Sequence, residues 1–441
     1  MTRWSLIITA ALVLFLCGAA AAPAADLYVS AERGDNQNPG TRAAPFKSVE
    51  AALKAARSGD RILVARGNYF GLRGKGYLEA PRPLELIGGY APDFSARDVL
   101  KHPTTVIPDR ASGASGRRPL LSILNVPAGS TFVLDGFLFD RGEQNAYSPK
   151  EGVIAGLGGR LLRDTERPAA GPSTVHEPLV CFTNKVNARV EGDVVIRNCV
   201  FLNGHFAIQG GFRQGSVRIL NNVFAANTMA AVEVFGTGGR KGPRGPIETS
   251  GRVEIAHNTI LFTWSRLKDF ADMGCGVRVM TMADYDIHDN LIGASVLAAI
   301  DHTRGNPNEW VKIDRNVLFL NKQAPLLYVE PGKSAAGRME RVGIADLNAD
   351  LGLASCRDNS DKLAGRLPLN GTYLENFLAA CYSESADFDP DSPANVLREV
   401  MGLPKRGKLA SRVSMFANRY PLADALKLFG AQPKAGAQKP E

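Results

Sequence analysis

"VEIAHNTI", residues 253–260, starts as alternating apolar and polar residues and then breaks at a polar corner. The same phrase returns as "VVIRNCVF" (194–201), "VRILNNVF" (217–224), "YDIHDNLI" (285–292) and "VKIDRNVL" (311–318). Each copy opens on a Val-x-Ile or Tyr-x-Ile pair, the period of a half-buried strand. The isoleucines Ile196, Ile219, Ile255, Ile287 and Ile313 are 23, 36, 32 and 26 residues apart. The shortest interval suits one turn of a solenoid, and the others suit a turn carrying an insertion. "FVLDGFLF" (132–139) is a weaker copy.

Three residues after each isoleucine stand Cys199, Asn222, Asn258, Asn290 and Asn316. Buried amides at one point of every turn satisfy one another only if the turns are parallel and in register. This selects an all-β, right-handed parallel β-helix over a propeller or a sandwich. The segment "FKSVEAALKAARSGD" (46–60) reads as an amphipathic helix capped by Ser48 and stopped by Gly59, with Phe46, Val49, Leu53 and Ala56 on its apolar face. It would plug the open first coil, which otherwise exposes core and strand edges.

The stretch "LYVSAERGDNQNPGTRAAPFKSVEAALKAARSGDRILVARGNYFG" (27–71) resembles the opening of secreted pectate-lyase-like β-helix proteins: Tyr-Val-Ser, Asn-Pro-Gly-Thr, Pro-Phe, a short helix, Gly-Asp-x-Ile, then Gly-x-Tyr. "FGAQPKAGAQ" (429–438) is similar to the closing segment of such chains. The resemblance implies the pectin lyase fold and no single activity, since this opening occurs in lyases, hydrolases and epimerases alike. The Asp-Pro-His-Asp motif of alginate epimerases and the paired-Asp motifs of polygalacturonases are missing, so no catalytic residue carries over.

Residues 1–25 have the form of a secretory signal peptide: Arg3, an apolar run from Leu6 to Leu16, then a small-residue cleavage site. Cys17 in "LFLC" fits a lipoprotein site poorly. A periplasmic or extracellular protein without a transmembrane segment is expected. Residues 26–330 then form the β-helix with its N-terminal cap. Residues 331–441 form a C-terminal cap, with helices at "PANVLREVMGL" and "YPLADALKLFG" covering the last coil and a disordered tail. Five cysteines follow the leader, with Cys356 and Cys381 as the pairing candidates and five free thiols as the alternative. The net charge of +8 favours an acidic polysaccharide or an anionic surface. No basic helix or aromatic RNA motif points to nucleic acid. Oligomeric state is left open.

A further strand per turn runs through "FAIQG", "AAVEV", "GVRVM", "AAIDH" and "PLLYV". With Ile208, Val232, Val277, Ile300 and Leu327 inward, the outward column reads Gln209, Glu233, Arg278, Asp301, Tyr328. Ala207, Ala231, Gly276, Ala299 and Leu326 would form a small, flat strip beside it. Such a pair of strips suits a sugar groove. Glu233 and Asp301 would lie about 10 Å apart, near the spacing of inverting glycosidases. In a lyase or hydrolase, Arg278 would neutralise a uronate carboxylate, and Glu233, Asp301 or Lys268 would move protons. Gln209, Tyr328, Trp264 and His302 would bind substrate, with His302 the best acid–base histidine. The competing reading is an acid–base–acid ladder that stabilises the sheet, in a non-catalytic binding or scaffold protein of the cell envelope.

Val195, Arg218, Glu254, Asp286 and Lys312 form another outward column, read as a solvated face. Insertions at 140–178, 236–251 and 264–274 flank the coils. Asp269 and Asp272 are a weak Ca²⁺ signal, and no other cofactor or metal is indicated. His257 and His288, at the Asn corner, are expected to hydrogen-bond the turn.

Overall fold

The computed structural model describes residues 23–70, 77–108, 119–142, 177–238, 249–264, 274–333, 339–381, 389–400, 402–406 and 418–440. Three long sheets of nine, eight and nine strands run along the molecule, and their strands pair parallel apart from one terminal antiparallel pair. A coil contributes one strand to each, as in Asp193–Arg197, Val200–Leu202 and Ile208–Phe212. The chain is therefore a parallel β-helix.

Register follows the repeated isoleucines. Ile196 pairs with Ile219, Ile219 with Ile255, Ile255 with Ile287, and Ile287 with Ile313. All five are completely buried. A one-residue slip would turn this whole row to solvent. On the second sheet Phe139, Phe201 and Phe224 stack with ring centroids 5.5 and 4.9 Å apart.

The asparagines form the expected ladder. Asn222 Oδ1 accepts from Cys199 N at 2.9 Å, Asn258 Oδ1 from Asn222 N at 2.9 Å, and Asn290 Oδ1 from Asn258 N at 2.9 Å. Asn316 Oδ1 accepts from Asn290 N at 3.0 Å. The ladder then runs on through Asn359 to Asn348. The residue before each rung takes a left-handed conformation: Asn198, Asn221, His257, Asp289 and Arg315 have φ of 53–56°. That turn sends the rung side chain inward and its predecessor outward. A second, partial ladder lies five residues on. Asn227 Oδ1 accepts from Gly204 N, and Asn321 Oδ1 from Ser295 N.

The plug is the helix Val49–Ala55, with Ser48 Oγ accepting from Ala51 N at 3.2 Å. Phe46, Val49, Ala52, Leu53 and Ala56 are buried against the first coil.

The C-terminal part is arranged differently from expectation. Isolated bridges from Lys312 to Ser355 and from Val317 to Ser360 continue the coil path past residue 330. The helices Gly371–Cys381, Pro393–Val400 and Leu422–Leu426 pack along the outer face of the second sheet. There Phe262 meets Tyr373, Phe377 and Tyr420 at 5.0–5.7 Å between ring centroids. The tail expected to be disordered is instead latched to the coil corners at residues 436–438. Gln438 N donates to Asn221 Oδ1 at 2.6 Å, Asn221 Nδ2 to Gln438 O at 3.1 Å, and Gly436 N to Asp289 O at 2.8 Å. The small Ala-Gly-Ala run permits this approach. A Cβ on Gly436, where φ is +84°, would lie 2.6 Å from Thr259 Oγ1.

Cys181, Cys199, Cys275 and Cys356 are free thiols, so the expected Cys356–Cys381 pair is not formed. Among the described residues no helix is long and apolar enough to cross a membrane. The proposed leader lies almost wholly outside them.

Candidate functional site

The third sheet brings Gln209, Glu233, Arg278 and Asp301 into one line, each the Cα partner of the next. The line continues backwards through Cys181 and Ser122 to Glu79. Its last member is Leu327, not Tyr328, because Asp301 pairs with Leu327 and His302 with Tyr328. "PLLYV" offers adjacent leucines, and the one that enters the core is Leu326. Tyr328 consequently turns to the other side, where its hydroxyl accepts from Asn308 Nδ2 at 2.8 Å.

The line is a continuous electrostatic chain. Gln209 Nε2 donates to Glu233 Oε1 at 2.7 Å, and Arg278 Nη1 donates to Glu233 Oε2 at 3.1 Å. Arg278 Nε donates to Asp301 Oδ2 at 3.2 Å, and Thr303 Oγ1 to Asp301 Oδ1 at 2.6 Å. Arg304 Nε stands 3.9 Å from the same carboxylate. Glu233, Arg278 and Asp301 are only 6, 3 and 2% exposed. A buried ion pair is tolerated when each charge finds opposite charge and hydrogen bonds at once, and a single guanidinium placed between two carboxylates provides both.

The small strip lies inside, not beside this line. Ala207, Ala231 and Ala299 belong to the main core, and a Cβ on Gly276 would lie 2.4 Å from Ile292 Cγ2. Ala231, Gly276 and Ala299 are the second residues of their strands and Ala207 directly precedes one, and at Gly276 the side chains of Ile292 and Ile260 from the second sheet leave room only for a small residue. A separate apolar cluster of Cys275, Leu297, Ala298, Ala324 and Leu327 flanks Asp301 instead. Cys275 Sγ is 3.9 Å from Asp301 Oδ2. Burial, reinforced by the Asp301 charge, pushes its thiol up to about 12, against the pull of Arg278. It is a protonated packing group at neutral pH.

The remaining candidates separate from the line. Trp264 is buried, and its Nε1 donates to Ala226 O at 3.3 Å. His302 is fully buried, with Nε2 3.0 Å from Asn308 Oδ1 and Nδ1 lacking a partner among the described residues. Burial lowers its pKa, outweighing the Asn308 hydrogen bond and Asp301. Lys268, Asp269 and Asp272 lie outside the described residues, as do most of the 140–178 and 236–251 insertions.

The outward column of the first sheet has the expected register, Val195, Arg218, Glu254, Asp286, Lys312. On this face and at its corner, arginines pair one to one with acids. Arg218 pairs with Glu254 at 3.2 Å and Arg252 with Asp286 at 2.5 Å. Arg197 pairs with Asp135 at 2.8 Å and Arg315 with Asp289 at 2.9 Å. The four arginine side chains stay 48–55% exposed, while their acidic partners are 3–22% exposed. Guanidinium groups are thus the outer layer of this face.

Residues 32–91, the N-terminal cap and first coils, match the family described as "Protein of unknown function (DUF1565)". Among curated proteins none matches this chain. Two solved structures are similar in chain path. One is a rhamnogalacturonan lyase at 12% identity, over 66% of this chain and 73% of that one, with a TM-score of 0.32. The other is the pectin methylesterase from Aspergillus niger at 16% identity, over 78% of this chain and 92% of that one, with a TM-score of 0.26. Neither likeness assigns chemistry here, and the fold rests on the strand pairings themselves.

Proposed function

We propose that this is a secreted β-helix protein that binds an acidic polysaccharide along the arginine face of its first sheet. In this reading the Glu233–Arg278–Asp301 line is a structural spine. The observation that carries the reading is the layering of charge: half-exposed guanidiniums over covered carboxylates, repeated at strand spacing. Adjacent strands are about 4.8 Å apart, and Arg197, Arg218 and Arg252 stand on three successive strands, so a polyanion laid along the helix axis meets a cation at each of these turns. Each exposed contact is worth up to about 1 kcal/mol, and a row of them sums to useful affinity that weakens with salt. The leader-like N-terminus and the net charge of +8 agree with such a role outside the cytosol.

The enzymatic reading, a lyase or hydrolase, keeps one geometric support: two carboxylates two turns apart around an arginine. Against it stand the burial of Glu233 and Asp301 and their pairing with Arg278, which favour a structural role for the line. A screen of uronate polymers separates the readings. We expect salt-sensitive retention on immobilised polyuronate, with no unsaturated ends and no new reducing ends. Turnover that disappears in Glu233→Gln or Asp301→Asn while binding persists would replace the scaffold reading by the enzymatic one.

A further inference from the structure

We infer that His257, His288 and Asp289 form a binding site for a divalent transition-metal cation, with Zn²⁺ the best fit. One ligand atom from each lies within 4.8 Å of the others. The repeat places them together. Ala256 is the Cα partner of His288, so His257 stands one turn from Asp289 in the same corner column. Both adopt φ of 54°, which turns their side chains outward while Asn258 and Asn290 turn in.

Three observations set this cluster apart from turn hydrogen bonding. First, His257 Nδ1 is buried and has no partner among the described residues, an unusual state for a ring nitrogen. Second, both nitrogens of His288 face carboxylates: Nδ1 is 2.8 Å from Asp289 Oδ2, and Nε2 is 3.6 Å from Glu254 Oε1. Third, Arg315 holds Asp289 with two bonds of 3.0 and 2.9 Å, which fixes the carboxylate in place. Metal-binding histidines commonly direct the second nitrogen at a carboxylate, and ligating carboxylates are themselves hydrogen-bonded. The cation would displace the proton shared by His288 Nδ1 and Asp289 Oδ2, and these atoms, now 2.8 Å apart, would part to admit two metal–ligand bonds of about 2 Å. That proton would move to Nε2, where Glu254 accepts it. Two imidazoles and one carboxylate suit Zn²⁺ and its first-row neighbours, whereas Ca²⁺ and Mg²⁺ require all-oxygen sets.

The location gives the site a consequence. The C-terminal tail bonds Asp289 O through Gly436 N and Thr259 Oγ1 through Ala437 N. A cation at this corner ties two successive turns together beneath the latched tail.

The test uses the full mature chain without a histidine tag, stripped with chelator and titrated with Zn²⁺, with Co²⁺ absorption as a second probe. We expect one equivalent bound and a rise in Tm. In His257→Asn affinity falls at least about tenfold and the rise in Tm disappears. Asn already occupies this left-handed column at 198 and 221, so that variant keeps the fold. His288→Gln behaves likewise, and His205→Gln, outside the cluster, binds as the wild type does. No uptake by the wild type at about 1 mM Zn²⁺, a limit of roughly 4 kcal/mol, overturns the proposal. So does equal affinity in the His257→Asn/His288→Gln double variant.

Discussion

Arg278→Ala removes the cation from between two buried carboxylates, and the structure sets the cost. Breaking a buried pair by deleting one partner typically costs about 3–5 kcal/mol, because the other charge stays behind uncompensated. Here two charges stay behind. Each keeps a neutral partner, Gln209 Nε2 for Glu233 and Thr303 Oγ1 for Asp301, and Arg304 stands near Asp301. Those contacts hold the expected loss to about 3–4 kcal/mol and not a multiple of it. Urea unfolding followed by circular dichroism measures it as a shifted midpoint at unchanged slope. The triple variant Glu233→Gln, Arg278→Met, Asp301→Asn removes all three charges and should recover most of the loss, since an uncharged replacement of a buried ion cluster is often neutral or stabilising. A loss under about 1 kcal/mol in Arg278→Ala would refute the argument. It would mean that water reaches the guanidinium and that the column is an open groove.

Three further outcomes follow from the same coordinates. Asn258→Ala strips the acceptor from Asn222 N and the side-chain donor from Ile219 O, while Asn222 Nδ2 keeps Ile196 O and Ala256 O keeps Asn221 N. At about 1–3 kcal/mol for each orphaned buried group, thermal or urea unfolding should show a loss of about 3–5 kcal/mol, whereas Cys199→Ser at the ladder's end should cost under about 1 kcal/mol. His302, depressed by burial from 6.5, stays neutral in the fold but charges in the unfolded chain. Its contribution is therefore intact above about pH 6.5 and lost as pH falls below it. Wild-type stability should drop more between pH 7.5 and pH 5 than that of His302→Gln, and equal drops would refute the assignment. A thiol reagent should label Cys356, the partly exposed one, in the native protein and the buried four only on unfolding, and reducing agent should not change gel mobility.

The fold was readable because the ladder couples sequence to geometry. Asn at a fixed distance from a core isoleucine satisfies its hydrogen bonds only in stacked turns, so Asn222, Asn258, Asn290 and Asn316 announced both period and register. Asn227 and Asn321, each five residues after a ladder rung, carried the same signal for the second corner and went unread. Register failed where hydrophobic alternation is degenerate: Leu326 and Leu327 are equally apolar, and only the pairing decides which enters the core. The small residues at 207, 231, 276 and 299 fall in the core because strict period-two alternation does not extend to the first residues of these strands, which face the adjoining sheet. Burial of the Glu233 column was also invisible, since alternation tells inside from outside the coil and not whether further chain covers the outside. The arginine face was in view as alternating charges. Its layering depends on side-chain length, arginines reaching past the shorter acids they pair with.

The most direct test of the account is calorimetric titration of uronate oligomers into three proteins at low salt: the wild type, the Arg197→Gln/Arg218→Gln/Arg252→Gln variant, and the uncharged triple variant of the Glu233 column. Loss of three exposed contacts should weaken binding by about 1–3 kcal/mol, roughly ten- to a hundredfold, while the column variant binds as the wild type does. The reverse pattern, full affinity without the three arginines and none without the column, would contradict the account and return the site to the third sheet.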